Sequence, residues 1–343
     1  MTIRVAVVGA GFIGADHAAA YAAESGAELV GIVDPDADRA ADLVRRFGGS
    51  PHRGLETLLD QARLDAASVC VPTGLHRLVV ERLAASGVHV LLEKPMAPTV
   101  ADCDAVEAAA KRAGIVLMLG LTHRFHAELI EARRLIAAGA IGTPLLCQDA
   151  FSFGEHGPWP AWYYDRELSG GGELMHDGVH LVDRLEWLVD SPIVEVYGRT
   201  TTYARSIDGV EDGGVAVLSF ANGAIGSLFV NQSTHPLRRD APSVPMPGRL
   251  ELEIHGSRGS MRYRTWHELI VDLAGEPSRT VVRSDGGEMG REIRAFLDAV
   301  AGGGPPPVGA REGRRGIAIV GAIYESERRG RPVIVDELFP PAA

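Results

Sequence analysis

The 343-residue sequence has few cysteines and lacks a long uncharged apolar run. Its three cysteines, Cys70, Cys103 and Cys147, lie far apart. They exclude a disulfide framework and favour a reducing compartment. No apolar run approaches the roughly 20 residues that a membrane span needs, and no basic leader precedes a cleavage site. We expect a cytoplasmic protein that does not enter a membrane.

Basic residues are also in the minority. Lysine and arginine number 34 against 45 acidic residues, which gives a net charge of −11. This balance argues against nucleic acid or an anionic membrane surface as the main partner. The chain is too long for one compact core, so we expect two domains.

Residues 1–121 alternate apolar runs typical of strands with segments of helical periodicity. Apolar strands separated by helices predict a doubly wound parallel sheet, whose ligand crevice lies at the carboxyl ends of the strands. The pattern changes in residues 122–343, where β-like runs follow one another and Asn222-Gly223 predicts a hairpin. We predict an α+β domain with a mostly antiparallel sheet there.

A G-x-G-x-x-G turn directly follows the first apolar run. Gly9 permits a tight turn, Gly11 lets backbone approach a pyrophosphate, and Gly14 lets the next helix pack closely. The phosphates would lie at the start of that helix, near Phe12. Asp34 ends the second strand, where a carboxylate can bind the ribose hydroxyls. The alternative is a glycine-rich turn in another kind of α/β protein.

Glu93-Lys94-Pro95 closes the fourth apolar run, so Lys94 is a candidate for the crevice. A charged lysine could hydrogen-bond a substrate hydroxyl or stabilise a developing alkoxide. The alternative is a surface lysine that pairs with Glu93.

A second candidate group follows Gly170-Gly171-Gly172. On a helix, His176 and His180 would share one face, with Asp177 in reach of His180. A histidine is a natural general base for an alcohol proton, and a carboxylate can orient it. Two structural histidines, or a two-histidine metal site, are the alternatives. Arg124 and the aromatic loop with Trp159 and Trp162 are weaker candidates for a substrate pocket.

In order and spacing, these motifs resemble the glucose–fructose oxidoreductase, inositol dehydrogenase and MocA family over nearly the whole chain. The resemblance rests on the glycine turn, Glu93-Lys94-Pro95, His180 and several further motifs. Those further motifs are Pro72-Thr73-Gly74-Leu75-His76, His123-Arg124-Phe125, Gly170-Gly171-Gly172, Leu252–Gly259, Phe296–Val300 and Ala322–Ser326.

The resemblance implies a Rossmann domain, then a domain whose open sheet lines the substrate site and forms a homodimer or homotetramer. It implies Lys94 and His180 as catalytic residues and a peptide before Pro95 that can be cis. From the helical spacing, we expect Asp177 to orient His180. The implied cofactor contacts are Gly9, Gly11, Phe12, Ile13, Gly14, Asp34, Pro72, Thr73, His76, Glu93 and Lys94. The expected substrate contacts are Lys94 and His180, which the resemblance implies, together with Arg124, Trp162 and His176, which could line the same pocket.

Two positions depart from the family pattern. His176 stands where relatives often have aspartate, and Trp162-Tyr163 stands where they often have Trp-Arg. Asp34 would repel a 2′-phosphate, and no arginine follows it immediately, so we expect NAD rather than NADP. We expect no metal.

The predicted function is hydride transfer between NAD and a secondary alcohol of a sugar, polyol or inositol-like substrate. The alternatives are a non-catalytic dinucleotide-sensing regulator on the same scaffold, or an enzyme that uses NAD transiently in sugar elimination or hydrolysis.

Overall fold

The computed structural model describes residues 2–152, 160–202, 210–232 and 249–341. Among these residues, none of the helices combines the length and the apolar character that crossing a membrane requires. Trp159, one of the weaker substrate candidates, lies outside the described residues.

The N-terminal part forms a parallel sheet of six strands. The strands are β1 Ile3–Val8, β2 Ala27–Val33, β3 Ser50–His52, β4 Ala66–Val69, β5 His89–Glu93 and β6 Leu117–Gly120. Their order in the sheet is β3-β2-β1-β4-β5-β6. The central strands β1, β4 and β5 are buried at all but one position each in β1 and β5, as a sheet covered on both faces requires. The helices are α1 Phe12–Ala23, α2 Ala37–Phe47, α3 Leu55–Gln61, α4 His76–Ala85 and α5 Val100–Ala113.

The rest of the chain contains a sheet of nine strands. The earlier elements are α6 Ala127–Ala137, β7 Pro144–Ser152, α7 Arg166–Ser169, α8 Val179–Val189, β8 Ile193–Thr201, β9 Gly213–Phe220, β10 Ile225–Asn231 and β11 Arg249–Gly256. The later ones are β12 Gly259–Arg264, β13 Glu268–Leu273, β14 Arg279–Arg283, α9 Glu288–Gly302, α10 Ala310–Arg329, β15 Val333–Ile334 and α11 Val335–Leu338. The strands follow the order β14-β13-β12-β11-β7-β10-β9-β8-β15, and all of their pairings are antiparallel except that of β10 with β7.

The predicted hairpin at Asn222-Gly223 is confirmed. Gly223 has a φ of +87°, and its N–H bonds the Phe220 carbonyl at 3.0 Å. The Asn222 side chain accepts a hydrogen bond from the Ala224 N–H at 3.0 Å. This local chemistry joins β9 to β10 and fixes their register.

The chain divides into two compact units. Unit 1 contains residues 1–125 and 287–314, and unit 2 contains residues 126–286 and 315–343. The predicted boundary at residue 121 placed all later residues in the second domain, whereas α9 packs on α1 and on the turn Thr122–Phe125 of unit 1. An amphipathic pattern predicts that a helix packs on an apolar surface, but it does not identify that surface. The sequence pattern therefore did not predict that α9 packs in unit 1.

Candidate functional site in the two units

The glycine turn of unit 1 is shaped by close backbone contacts. Gly9 has a φ of +105°, and a Cβ there would lie 2.3 Å from the Cys70 carbonyl oxygen. A Cβ at Gly14 would lie 1.9 Å from the Gly9 carbonyl oxygen. At Gly11, by contrast, a Cβ would meet no atom within 4 Å. Two glycines are therefore required by the fold, and the third faces open space.

The start of α1 suits a phosphate group. Phe12 opens the helix and is 85% exposed. The first N–H groups of a helix have no partner within the helix, and they carry its positive end. Next to the open space at Gly11, they form an anion site that can hold the pyrophosphate of a dinucleotide.

Asp34 lies at the carboxyl end of β2 and is 8% exposed. One carboxylate oxygen accepts the Ala10 N–H at 2.8 Å, and the other accepts the Asp36 N–H at 2.8 Å. A carboxylate oxygen has two acceptor sites, so each oxygen can still accept a ribose hydroxyl. Arg39, further along the chain, is exposed and pairs with Asp36 at 3.3 Å.

Glu93 and Lys94 follow β5 at the same edge of the parallel sheet. Lys94 is half-buried, and the peptide between Lys94 and Pro95 is cis. The Lys94 N–H donates to Glu93 Oε2 at 3.1 Å, and Glu93 Oε1 lies 3.0 Å from His17 Nε2. The Glu93 side chain therefore anchors the backbone that carries Lys94.

Thr73 and His76 follow β4 and are each 1% exposed. His76 Nε2 lies 3.0 Å from the Val71 carbonyl oxygen, and Nδ1 lies 3.3 Å from that of Met96. Burial lowers the pKa of His76, so the neutral ring donates one hydrogen bond, and we assign it to the shorter contact. The His76 ring therefore lies between the segments that follow β4 and β5 and is hydrogen-bonded to the first of them.

In unit 2 the triple-glycine turn is held by a buried carboxylate. Glu211 accepts the Gly172 N–H at 3.0 Å and the Leu174 N–H at 3.0 Å. Burial raises the pKa of Tyr324 well above its usual value, and its hydroxyl donates to Glu211 at 2.7 Å. A Cβ at Gly172 would lie 1.7 Å from the Glu211 carbonyl oxygen, so only glycine allows this approach.

The segment with His176 is not a regular α-helix. Leu174–Gly178 forms a π-helical turn that continues into α8, and such turns are frequent at functional sites. The His176 ring stacks on Tyr163, with centroids 4.2 Å apart and planes 24° apart. It meets Trp162 edge-on at 5.8 Å. Two of the substrate candidates, Trp162 and His176, thus belong to one aromatic cluster.

His180 lies in the first turn of α8 and is 5% exposed. Asp177 precedes it, is half-buried, and adds negative charge near the fully buried Arg184. Arg184 forms an ion pair with Asp149, which is also fully buried. Among the described residues, His176 and His180 do not belong to any group of three metal-binding side chains.

Family comparisons agree with this geometry. Residues 3–121 match the model described as "Oxidoreductase family, NAD-binding Rossmann fold", and residues 129–262 match the GFO/IDH/MocA C-terminal domain. The chain belongs to the GFO/IDH/MocA family. Its members in this comparison are named as dehydrogenases, reductases and related enzymes, so the predicted fold, oxidoreductase class and NAD cofactor are confirmed.

Three relatives cover nearly the whole chain. Inositol 2-dehydrogenase 3 of Saccharopolyspora erythraea is 28% identical over 98% of this chain and 96% of its own. The aldose–aldose oxidoreductase of Caulobacter crescentus, crystallised with glycerol, has a TM-score of 0.86 and 26% identity, covering 97% of this chain and 100% of its own. Levoglucosan dehydrogenase, crystallised with NADH and levoglucosan, has a TM-score of 0.86 and 25% identity, covering 98% of this GFO/IDH/MocA chain and 100% of its own.

The predicted site residues therefore fall into two groups. Unit 1 gathers the glycine turn and Asp34, Pro72-Thr73, Glu93 and Lys94 at the carboxyl ends of its strands, with Arg124 in the turn after β6. Unit 2 holds Trp162, His176, Asp177 and His180. Sequence reasoning missed the carboxylates of Glu211 and Glu292, and the His17 ring. Their partners lie far away in the chain, so no local pattern marks them.

Proposed function

We propose that this chain transfers a hydride between NAD and a secondary alcohol of a sugar, polyol or inositol-like substrate. One observation carries the proposal: the glycine turn, Asp34 and Lys94 follow strands of one parallel sheet at its carboxyl edge. Ligands of such sheets bind at that edge. The relatives named for inositol, aldose and levoglucosan support the substrate class.

The nicotinamide, when bound, supplies the hydride acceptor or donor. For the chain's own residues, we assign proton transfer to Lys94 and His180. The Lys94 ammonium would hydrogen-bond the reacting hydroxyl and stabilise its developing negative charge. The His180 imidazole would take the alcohol proton as general base, with Asp177 orienting the ring. The fixed Lys94 backbone and the burial of His180 support these roles, since a catalytic group must be held in place.

Substrate contacts are assigned to Lys94, Arg124, Trp162, His176 and His180. The stack of His176 on Tyr163 supports the role of the aromatic cluster. Rings held in this way present an apolar surface together with polar ring atoms, and a sugar offers both kinds of partner. An aspartate at position 176 would have no ring to stack on Tyr163.

NAD is preferred to NADP in this proposal. Asp34 would face the adenosine ribose, and a carboxylate there accepts hydrogen bonds from hydroxyls but repels a 2′-phosphate. Arg39, the cation nearest in sequence, is already paired with Asp36. In this proposal unit 1 binds the cofactor and supplies Lys94 and Arg124 to the substrate, and unit 2 supplies Trp162, His176 and His180.

We further propose that unit 2 forms a homodimer or homotetramer through one face of its large sheet. Tyr197, Val215, Val217, Ile225 and Phe229 are each at least 37% exposed. Their strand register places them on one face. That face also has a depression of about 450 Å³. An exposed apolar surface of this kind is typical of a protein interface, and a second copy of this chain would cover it.

We place the protein in the cytoplasm because its cysteines are free among the described residues, which suits a reducing compartment. The proposal keeps the exclusion of nucleic acid and membrane as partners, on the same net charge of −11.

The decisive experiment measures NADH formation with inositols, aldoses, sugar acids and amino sugars. Lys94→Ala should lower kcat by at least about a hundredfold, in line with the loss of a group that acts on the transition state. Lys111→Ala is the matched control, because the Lys111 side chain is 68% exposed and, within the part of the chain that the structure describes, pairs only with Glu107 on its own helix. Equal turnover by Lys94→Ala would refute the assigned role.

The same screen separates the alternatives. A dinucleotide-sensing regulator would bind NADH but give no turnover with any substrate. An enzyme that uses NAD transiently would convert a sugar without net NADH. The resemblance to an aldose–aldose oxidoreductase, a name that describes transfer between two sugars, makes product analysis a necessary part of the assay.

A further inference from the structure

Unit 1 contains a buried polar cluster that the proposed chemistry does not use directly. His17 of α1, Glu93 of β5 and Glu292 of α9 are each at most 5% exposed. A ring nitrogen of His17 and one oxygen from each carboxylate all lie within 4.8 Å of one another. We call these three residues the His17–Glu93–Glu292 cluster.

The first two members are oriented by hydrogen bonds. His17 Nδ1 lies 2.9 Å from the Ser68 hydroxyl, and His17 Nε2 lies 3.0 Å from Glu93 Oε1. The other oxygen of Glu93 accepts the Lys94 N–H. A Cβ at Gly120 would lie 2.7 Å from Glu93 Oε1, so the absence of a side chain there makes room for this carboxylate. The cluster is therefore continuous with the backbone of Lys94.

Glu292 is the third member, and its two oxygens differ. Oε2 accepts a hydrogen bond from the Thr122 hydroxyl at 2.8 Å. Oε1 is buried and has no hydrogen-bond partner among the residues that the structure describes. An ionised carboxylate with a bare buried oxygen beside a second carboxylate is costly, and a neutral carboxylic acid in the same place costs much less.

The charges in the cluster support this view. Burial, followed by the negative charge of Glu93, raises the pKa of Glu292 to about 8. Burial opposes the charged form of His17, but contact with Cys70, followed by the hydrogen bond to Glu93, raises its pKa well above the usual value. Burial also raises the pKa of the Cys70 thiol, so the anion that faces His17 is the Glu93 carboxylate, whose Oε1 lies 3.0 Å from Nε2.

Among the described residues, the other titratable groups whose charges reach the cluster include Asp16 and Tyr21 of α1 and His76 of α4. Burial raises the pKa of Asp16 and Tyr21 and lowers that of His76, so Tyr21 and His76 stay neutral and Asp16 adds at most one further negative charge. Such a charge would favour a proton on Glu292 still more.

We propose that Glu292 is a positioning residue that holds a proton at neutral pH, giving an imidazolium, one carboxylate and one carboxylic acid with no net charge. In this state Glu93 keeps its hydrogen bond to the Lys94 N–H, and the end of β5 stays in place. Loss of the proton would put two anions next to one cation and disturb that strand end. The positioning role rests on the proposed function of Lys94, but the proton does not.

The proton is tested by stability against pH. An acid whose pKa is higher in the folded state keeps its proton there while the unfolded chain loses it. Stability is then lost as pH rises between the ordinary glutamate value and about 8, by up to tenfold in the folded-to-unfolded ratio per pH unit. Glu292→Gln cannot lose this proton. Its melting temperature should therefore rise relative to the wild type between pH 5 and pH 8.

Asp298→Asn is the matched control, since Asp298 is exposed on the same helix. The difference in melting temperature between Asp298→Asn and the wild type should stay constant between pH 5 and pH 8. A Glu292→Gln difference that is constant with pH would overturn the proposal. One equivalent of bound metal in the purified wild-type protein would also overturn the proposal, because the cation would then balance the charges of two ionised carboxylates. Infrared titration of the wild type, which needs no variant, should show a neutral carboxylic acid lost near pH 8.

The positioning role has its own readout. With a substrate from the screen, wild-type kcat should fall above about pH 8, while Glu292→Gln should keep its kcat there and show an unchanged KM. An identical alkaline fall in both proteins would overturn the positioning role even where the stability result supports the proton. Absence of any turnover would refute the proposed function and leave the stability test intact.

Discussion

Replacing Glu211 with alanine should loosen the segment that carries His176 and His180. The Glu211 carboxylate accepts hydrogen bonds from the N–H groups of Gly172 and Leu174 and from the Tyr324 hydroxyl. The two backbone donors lie at the start of the π-helical turn, where N–H groups have no helical partner of their own. The Glu211 side chain therefore caps the first N–H groups of this segment.

The expected magnitude follows from the donors that are left without an acceptor. A buried donor without its partner costs about 1–3 kcal/mol. Three such donors give at least about 3 kcal/mol for Glu211→Ala. Tyr324→Phe removes one donor and leaves the two backbone contacts, so it should cost only about 1.5 kcal/mol.

Amide hydrogen exchange measures this local free energy directly. Protection of Leu174–Val189 should fall by more than about a hundredfold in Glu211→Ala and by about tenfold in Tyr324→Phe. Glu276→Ala, in an exposed turn of unit 2, should leave protection unchanged. The reasoning fails if Glu211→Ala has no larger effect than Tyr324→Phe.

Three further predictions concern the cofactor and the base. Gly14→Ala should weaken NADH binding more than tenfold in a fluorescence titration, because its Cβ would lie 1.9 Å from a backbone oxygen. Gly26→Ala, whose Cβ meets no atom within 4 Å, should bind normally. Asp34→Ser should raise kcat/KM with NADP relative to NAD by at least about tenfold, and an unchanged ratio would contradict the charge argument. Asp177→Asn should lower kcat far more than NADH affinity, and equal activity would exclude its action through His180.

The sequence predicts the parts of the molecule that local chemistry controls. The glycine turn, the acid after β2 and the hairpin at Asn222-Gly223 each depend on residues close together in the chain. Most helix and strand positions followed from periodicity, but the strands β3, β12, β14 and β15 and the short helices α3, α7 and α11 did not. In β12 the buried Met261 and Tyr263 alternate with charged residues over a short run, and β14 has no buried residue. Segments of this kind become strands because they pair with neighbouring strands of the sheet.

The candidate site was predictable only in part for the same reason. Glu211 bonds Gly172 across 39 residues, and Glu292 bonds Thr122 across 170. The sequence around a carboxylate does not indicate which distant donors will form hydrogen bonds with it. The same holds for His176, because its stack on Tyr163 depends on a turn that the sequence does not specify.

The return of α9 to unit 1 has a consequence for synthesis. A nascent chain that has emerged only to residue 125 already contains all six strands of the parallel sheet. It lacks the helix whose buried Ile293 and Phe296 belong to the same unit. A domain made of one continuous segment can fold as soon as that segment has been synthesised. Unit 1 consists of two segments. It is complete only with residues 287–314, which are synthesised after residues 126–286 of unit 2.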